Sequence, residues 1–393
     1  MIGGATNSVI ATAAAGDHPC ALCYNATSDK VYCANEGGDV TVIDGVTNGV
    51  IATVAAGDGP GALCHNANNN KVYCANSYGA SVTVIDGATN GVIATLPVDS
   101  YPRAVCYNPT NNKVYCANSG SASVTVIDGA TNAVLATAAA SGRPCALCYN
   151  PTNNKIYCAS DSWNVTVIDG ATNSVIATVA AGDGPCALCY NATSNKVYSA
   201  NRNGSYVTVI EGATNSVITV VATGDYPFAL CYNATNNKVY CANLSSANVT
   251  VIDGATDDVL DKIDVGLSPL DFAWNPVQNR VYVADFDGSS ISVLRDSAAG
   301  IEETMNDERG TMNARPTIIR GVLFLTQAAN LKPQASCLMD AAGRKVLELR
   351  PGANDVSRLS PGVYFVREKG GEDCEESTVG NRPSAIAKVV IAK

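Results

Sequence analysis

Lys30-Val-Tyr-Cys-Ala-Asn35 decides the fold, because the stretch returns six more times along the chain. The copies lie at 71–76, 113–118, 155–160, 196–201, 238–243 and 280–285. Their tyrosines (Tyr32, Tyr73, Tyr115, Tyr157, Tyr198, Tyr240, Tyr282) stand 41 or 42 residues apart. A period near forty with several short strands per unit is the signature of a β-propeller.

The second copy shows one whole unit. Ala62-Leu-Cys-His65 reads as a first strand, and Asn66-Ala-Asn-Asn-Asn70 as a turn of residues that tolerate left-handed backbone. Residues 71–75 are a second strand, and 76–80 a loop whose composition changes between copies. Ser81-Val-Thr-Val-Ile85 is a β-branched third strand, Asp86-Gly-Ala-Thr-Asn90 a turn, and Val92-Ile-Ala-Thr95 a fourth strand. Seven sets of first, second and third strands occur. The seventh (270–274, 280–284, 290–294) runs into Arg295-Asp-Ser-Ala-Ala-Gly300 instead of a fourth strand, while Val9-Ile-Ala-Thr12 stands alone at the start. The reading is an all-β chain, a seven-bladed propeller closed by the N-terminal strand, which leaves no free sheet edge. A small Ig-like β-sandwich follows.

At 393 residues the chain has room for one large repeat domain and one small one. Only 15% of residues are charged and 47% are hydrophobic, which suits sheets buried on both faces. A net charge of −10 argues against nucleic acid, since phosphate selects Lys/Arg surfaces. No apolar run reaches the roughly 18 residues of a membrane span. Met1-Ile-Gly-Gly-Ala-Thr-Asn-Ser-Val-Ile10 lacks a basic region and a cleavage site, so it is not read as a signal peptide. It has the form of the inside of a repeat, which creates the expectation of a segment upstream.

The units resemble the YVTN-repeat β-propeller family through Tyr107-Asn-Pro-Thr-Asn-Asn-Lys-Val-Tyr-Cys-Ala-Asn118 and Val124-Thr-Val-Ile-Asp128, with Cys116 where the family usually has valine. The resemblance covers 1–296 and implies a secreted or surface protein. It also implies a looser likeness to lactonase-type and quinoprotein-type propellers. After a polar linker at 297–313, strands are expected at 317–325, 335–340, 345–349, 362–367 and 387–391, giving a domain at 314–393. Asp340-Ala-Ala-Gly-Arg-Lys-Val346, Leu359-Ser-Pro-Gly-Val-Tyr-Phe-Val-Arg367 and Lys388-Val-Val-Ile-Ala-Lys393 make this domain resemble a type-A C-terminal sorting domain of the type IX secretion system. That resemblance implies export, with the secretion machinery as a partner. The loop at 368–383 is longer and more acidic than the family pattern. An ordinary structural sandwich is the alternative.

Internal comparison places the ligand site. The turns between first and second strands, and between third and fourth, barely change, and alternation puts both on one face of the ring. The other two loops fall on the opposite face and vary. Duplicated turns kept for geometry stay alike, whereas loops freed for binding diverge. The candidate binding residues there are Glu36, Tyr78, Tyr101, Arg143, Asp161, Trp163, Arg202, Tyr226 and Phe286. Aromatic side chains of this kind stack on sugars or anchor protein partners, although packing against a neighbouring blade also accounts for them. Five loops before first strands carry Asp17, Asp58, Asp99, Asp183 and Asp225, which would hold Ca²⁺ if they converged on the axis; otherwise they cap Gly-Asp-x-Pro turns. No other cofactor is indicated.

Ten cysteines fall in pairs ten residues apart: Cys23/Cys33, Cys64/Cys74, Cys106/Cys116, Cys148/Cys158 and Cys231/Cys241. If each hairpin turn is centred midway, the partners lie opposite one another within disulfide range. They are either disulfides of an exported protein or small buried hydrophobes copied with the repeat. Cys20, Cys145 and Cys186 follow loop prolines and are read as packing residues. Histidines are few: His18 is beside Asp17, and His65 replaces the tyrosine of other copies. No nucleophile elbow, phosphate loop or His/Cys cluster is present. The leading reading is therefore a surface or secreted module that binds a glycan or protein. The alternatives are a lactonase-like or other hydrolase at the axial funnel, and a structural surface-layer repeat.

Overall fold

The structure is a computed structural model, and it describes residues 1–3, 7–297, 300–304, 317–319, 322–325, 336–340, 344–349, 352–355, 362–368 and 387–391. The chain divides into two compact units, Met1–Asp296 and Ser297–Lys393.

The chain forms seven four-stranded antiparallel sheets, the blades, at 19–55, 60–97, 102–139, 144–180, 185–222, 227–264 and 269–304. The all-β, seven-bladed expectation holds. Strand order in each sheet follows the chain, and successive first strands pack against one another. Second and third strands are buried on both sides; Tyr73, Ala75, Val82 and Val84 of blade two are fully inaccessible. They meet Val114, Cys116 and Ile127 of blade three, so each apolar cluster lies between blades and not within one. Alternation supplies one face of each sheet to the preceding blade and one to the next.

The repeated polar residues join the blades. Lys30 Nζ donates to Gly87 O at 2.8 Å, Ala88 O at 2.9 Å and Asn90 Oδ1 at 3.0 Å, all in the next blade. Tyr32 Oη donates to the same Asn90 Oδ1 at 3.0 Å. Lys71 with Tyr73, Lys113 with Tyr115, and Lys155 with Tyr157 repeat the latch on Asn132, Asn173 and Asn215. Each receiving asparagine sits at a φ of 63–64°, a left-handed conformation that Asn adopts readily. Five of these turns are held by their own aspartate (Asp44, Asp86, Asp128, Asp169 and Asp253), Asp86 accepting the Ala88 and Thr89 backbone N–H groups at 2.9 and 2.8 Å; blade five has Glu211 in that place.

Three expectations need correction. Val9–Thr12 is not the fourth strand of blade seven. Gly300–Thr304, read from sequence as linker, takes that place in the sheet order. Val9 instead bridges Ile2 in a local hairpin, and the N-terminal stretch reaches blade seven through Asn7 Oδ1, which accepts from Arg280 and Tyr282. The cysteine pairs do not face each other. Each hairpin is out of register by one residue from the symmetric reading: Cys23 stands opposite Tyr32, and Leu22 opposite Cys33. The offset recurs in blades two, three, four and six. One residue of slip sends the partner to the other face of a strand, so Cys23, Cys33, Cys64, Cys74, Cys106, Cys116, Cys148, Cys158, Cys231 and Cys241 are free thiols.

In the second unit a five-stranded sheet runs in the order Thr317–Ile319, Ala387–Ile391, Gly362–Glu368, Ser336–Asp340, Lys345–Leu349, with the first pair parallel. Val322–Leu325 pairs separately with Gly352–Asp355. The strand expected over 317–325 is thus two strands in different sheets, and 352–355 was not foreseen. The loop at 368–383 and most of the linker lie outside the described residues. Among the described residues no helix is long and apolar enough to cross a membrane.

Candidate functional site

The two variable loops of every blade are tied to each other. Glu36 N donates to His18 O, Tyr78 N to Asp58 O, Ser119 N to Tyr101 O, Asp161 N to Arg143 O, Arg202 N to Gly184 O, Leu244 N to Tyr226 O and Phe286 N to Ser268 O. The two constant turns are tied likewise, Gly87 N donating to Asn70 O. All diverging side chains therefore share one end of the propeller, as alternation requires.

The structure brings some of the candidates together. Glu36 of blade one accepts from the Tyr78 hydroxyl of blade two. That hydrogen bond pushes Tyr78 up to about 12. Tyr78 also meets Tyr101 of blade three edge to face, with ring centroids 5.8 Å apart. One continuous patch thus spans three blades. Asp161 and Arg202 form an ion pair at 2.5 Å between blades four and five. Trp163 and Tyr206 flank a cleft of about 290 Å³, lined also by Gly182, Thr208, Val217 and Val220. Tyr226 stacks on Phe228. Arg143 and Phe286 are exposed.

Backbone conformation adds what the sequence did not show. The third residue of the loop before the first strand is left-handed in six blades: His18, Gly59, Tyr101, Gly184, Tyr226 and Ser268, at φ 54–70°. Trp163 is at φ 77°, in a place that Ala80, Ala122, Ser205, Ala247 or Ser289 fills elsewhere. Left-handed backbone costs a bulky residue roughly 1–2 kcal/mol. Three exposed or half-exposed aromatic side chains are held at that cost on one end of the molecule, while two sister loops use glycine.

The aspartates do not form a ring of ligands. Asp99 accepts from Ser123 Oγ at 2.5 Å, Asp183 from Asn203 Nδ2 at 3.2 Å, and Asp225 from Ser205 Oγ at 3.2 Å. The carbonyls of Asp17 and Asp58 accept loop N–H groups. Among the described residues no three His, Cys, Asp or Glu side chains come together as a metal site. The expected Asx capping belongs instead to the turn aspartates at the other end. Accepting the backbone N–H of Thr47, Thr89, Thr131, Thr172 and Thr256 holds Asp44, Asp86, Asp128, Asp169 and Asp253 below the usual carboxylate range.

The thiols are poor nucleophiles, since burial pushes Cys23 up to about 11 and Cys74 and Cys106 up to about 12. Cys20, Cys145 and Cys186 do more than pack. Their Sγ atoms donate to the Pro60, Pro185 and Pro227 carbonyls of the next blade at 3.1, 3.2 and 3.3 Å. Blade two has Gly61 there, and Ser77 Oγ reaches the Pro102 carbonyl at 2.8 Å in its stead. Burial lowers His65, which lies on a first strand opposite Val72.

Residues 31–245 match the family described as YNCE-like beta-propeller. Among solved structures, a chain titled Kuenenia stuttgartiensis Hydrazine Synthase is similar at a TM-score of 0.59 and 19% identity, over 74% of this chain and 99% of that one. At that identity the likeness concerns the fold. No curated protein matches this sequence.

Proposed function

We propose, for a chain that belongs to the YNCE-like β-propeller family, a recognition module that binds a glycan or a surface protein through its variable loop end. The observation that carries this reading is the set of aromatic residues, Tyr101, Trp163 and Tyr226, held in left-handed backbone at that end. Backbone strain of this kind persists where a side chain is needed in a fixed place. The Glu36–Tyr78–Tyr101 patch and the Asp161–Arg202 pair supply hydrogen-bonding groups beside aromatic faces, which is the surface chemistry of sugar and protein recognition.

The module acts outside the cell in this reading. The sorting-domain motifs at 340–346, 359–367 and 388–393 support export through the type IX machinery to the surface or medium. The test is binding to a panel of polysaccharides and surface extracts, with and without EDTA, beside a Trp163→Ala/Tyr226→Ala variant. Saturable binding lost in the variant is expected. Binding to nothing, or binding indifferent to both changes, overturns the placement. EDTA sensitivity would show that binding also needs a divalent ion.

A further inference from the structure

Blade five departs from its sisters at two positions, and both line the cleft beside Trp163. Tyr206 opens its third strand, where Asp39, Ser81, Ser123, Asn164, Asn248 and Ser290 stand elsewhere. Val220 stands opposite Thr208 on its fourth strand, where blades one to four have Thr53, Thr95, Thr137 and Thr178, and blade six has Lys262. Gly182, on the loop that leads into blade five, is at φ 126°, whereas its equivalents Gly16, Gly57, Gly224 and Gly266 are not at positive φ. A Cβ on Gly182 or on Gly204 would run into the Tyr206 ring, so two glycines hold that ring in place. Trp163 is pinned as well, its carbonyl accepting the Ala181 and Gly182 N–H groups at 2.9 and 3.2 Å. Two fixed aromatic rings thus face one cleft in only one of the inter-blade grooves.

The hydrogen-bonding capacity of the cleft is one-sided. Thr208 Oγ1 donates to Ala181 O and accepts from Asn201 Nδ2 at 2.9 Å, so it is already spent. Tyr206 Oη accepts from Asp183 N at 3.3 Å, which leaves its O–H as a donor. The Trp163 indole N–H is a donor only. The remaining lining residues are alanine, glycine and valine. The walls therefore combine aromatic and aliphatic faces with donors, and no side-chain acceptor is left over. A sugar brings hydroxyl donors that would lose water here without gaining a side-chain acceptor, and an ordinary peptide brings backbone N–H groups at the same cost. A proline segment brings carbonyls and ring methylenes, and no N–H. The rim supplies charge. Asp183 accepts from Asn203 Nδ2 and Asp225 from Ser205 Oγ, and among the described residues neither carboxylate has a cation in an ion pair. Arg202 is taken up by Asp161. An unbalanced acidic rim suits a ligand with lysine or arginine beside its prolines.

We infer, resting on the reading of this end as a recognition surface, that the cleft binds a proline-rich, basic-flanked segment of a protein partner in the polyproline II conformation. One proline ring lies against Trp163 and Tyr206, and the next against Val217 and Val220. The Tyr206 O–H and the Trp163 indole N–H donate to carbonyls of the segment. Polyproline II has no internal hydrogen bonds, so its carbonyls are open to such donors, and its stiffness keeps the entropy lost on binding small. At about 290 Å³ the cleft stands at the lower end of ligand pockets and suits about two or three residues of such a chain.

The test is titration of the full chain, up to millimolar peptide, with a synthetic proline decamer ending in Lys-Arg and with a control in which alanine replaces every proline. Emission of Trp163, one of two tryptophans, is the readout, and Trp163→Phe identifies its share of the signal. Saturable binding of the proline peptide is expected, and the alanine peptide should bind about tenfold or more weakly. Trp163→Ala, followed by peptide anisotropy, should cost about tenfold or more. Tyr206→Phe keeps the ring and removes the donor, so it should cost about three- to tenfold. Asp183→Asn/Asp225→Asn should erase the advantage of the Lys-Arg peptide over a plain proline decamer. Absence of binding, equal binding of both peptides, or binding indifferent to Trp163→Ala and Tyr206→Phe overturns the inference. If polysaccharide or surface-extract binding is then still lost in Trp163→Ala, the recognition reading stands with another ligand in the cleft; if no such binding exists, both fall.

Discussion

Asp257 offers the sharpest test of the inter-blade latch. It stands in blade six where Asn90, Asn132, Asn173 and Asn215 stand in others, at φ 65°. Its carboxylate accepts Lys196 Nζ at 2.8 Å and Tyr198 Oη at 2.6 Å, with side-chain exposures of 12% and 5% for the Lys–Asp pair. Asp257→Ala leaves the ammonium with one carbonyl, Ala255 O, and the phenol with a 3.5 Å contact to Gly254 O. Breaking a buried pair by removing one partner costs about 3–5 kcal/mol. Alanine in left-handed backbone adds about 1–2 kcal/mol, so a loss of about 4–7 kcal/mol is expected. Asp257→Asn restores the arrangement of four sister blades. Its amide oxygen receives both donors, and the expected loss is about 1 kcal/mol or less. Urea unfolding of both variants, read at the midpoint with the slope checked for loss of two-state behaviour, separates the two. A Lys196→Met/Asp257→Ala double variant should recover part of the alanine loss, because the stranded charge is gone. Equal costs for Ala and Asn, or an Ala cost below about 1 kcal/mol, would refute the latch as a stabilising device.

Three further outcomes follow from the same geometry. Acid should weaken the propeller: Asp44, Asp86, Asp128, Asp169 and Asp253 are held below their unfolded values near 3.9. Their contribution is present above that pH and disappears as pH falls through the folded values. Asp271 and Asp285, raised by burial, act in the opposite sense, so a urea midpoint that fails to drop between pH 5 and pH 2.5 would contradict the dominance of the turns. The buried Cys33, Cys74, Cys116, Cys158, Cys189 and Cys241 should react with a thiol reagent only after denaturation, and a reductant should leave the melting temperature unchanged; a reductant-sensitive melt would show bonds that the register forbids. Tyr226→Gly should gain stability by about 1 kcal/mol from relieved backbone strain, less the lost stacking on Phe228, while losing ligand binding. A loss of stability would place Tyr226 among packing residues.

The repeat made the blades readable from sequence alone. Asn-Asn-Lys-Val-Tyr and Asp-Gly-Ala-Thr-Asn are local signals, and seven copies average out the ambiguity of any one short strand. The contrast between constant turns and variable loops followed from alternation, which is a topological property of hairpin-linked strands. The cysteine pairing failed because a shift of one residue in the turn is invisible in spacing yet inverts the face of every partner. The N-terminal strand was misplaced for a related reason. Counting strands shows that one is missing, but not which neighbour's edge and which polar latch a given stretch meets.

What the sequence determined is the unit, its seven copies and the end of the molecule where they differ. Those features depend on contacts between residues close in the chain. Only the tertiary structure decided that Lys30 and Tyr32 hold Asn90, that Glu36, Tyr78 and Tyr101 form one patch, and that Tyr101, Trp163 and Tyr226 are strained. Most of these pairings cross from one blade to the next. The periodicity of a single chain records that two positions recur, and the packing of successive blades determines which of them touch.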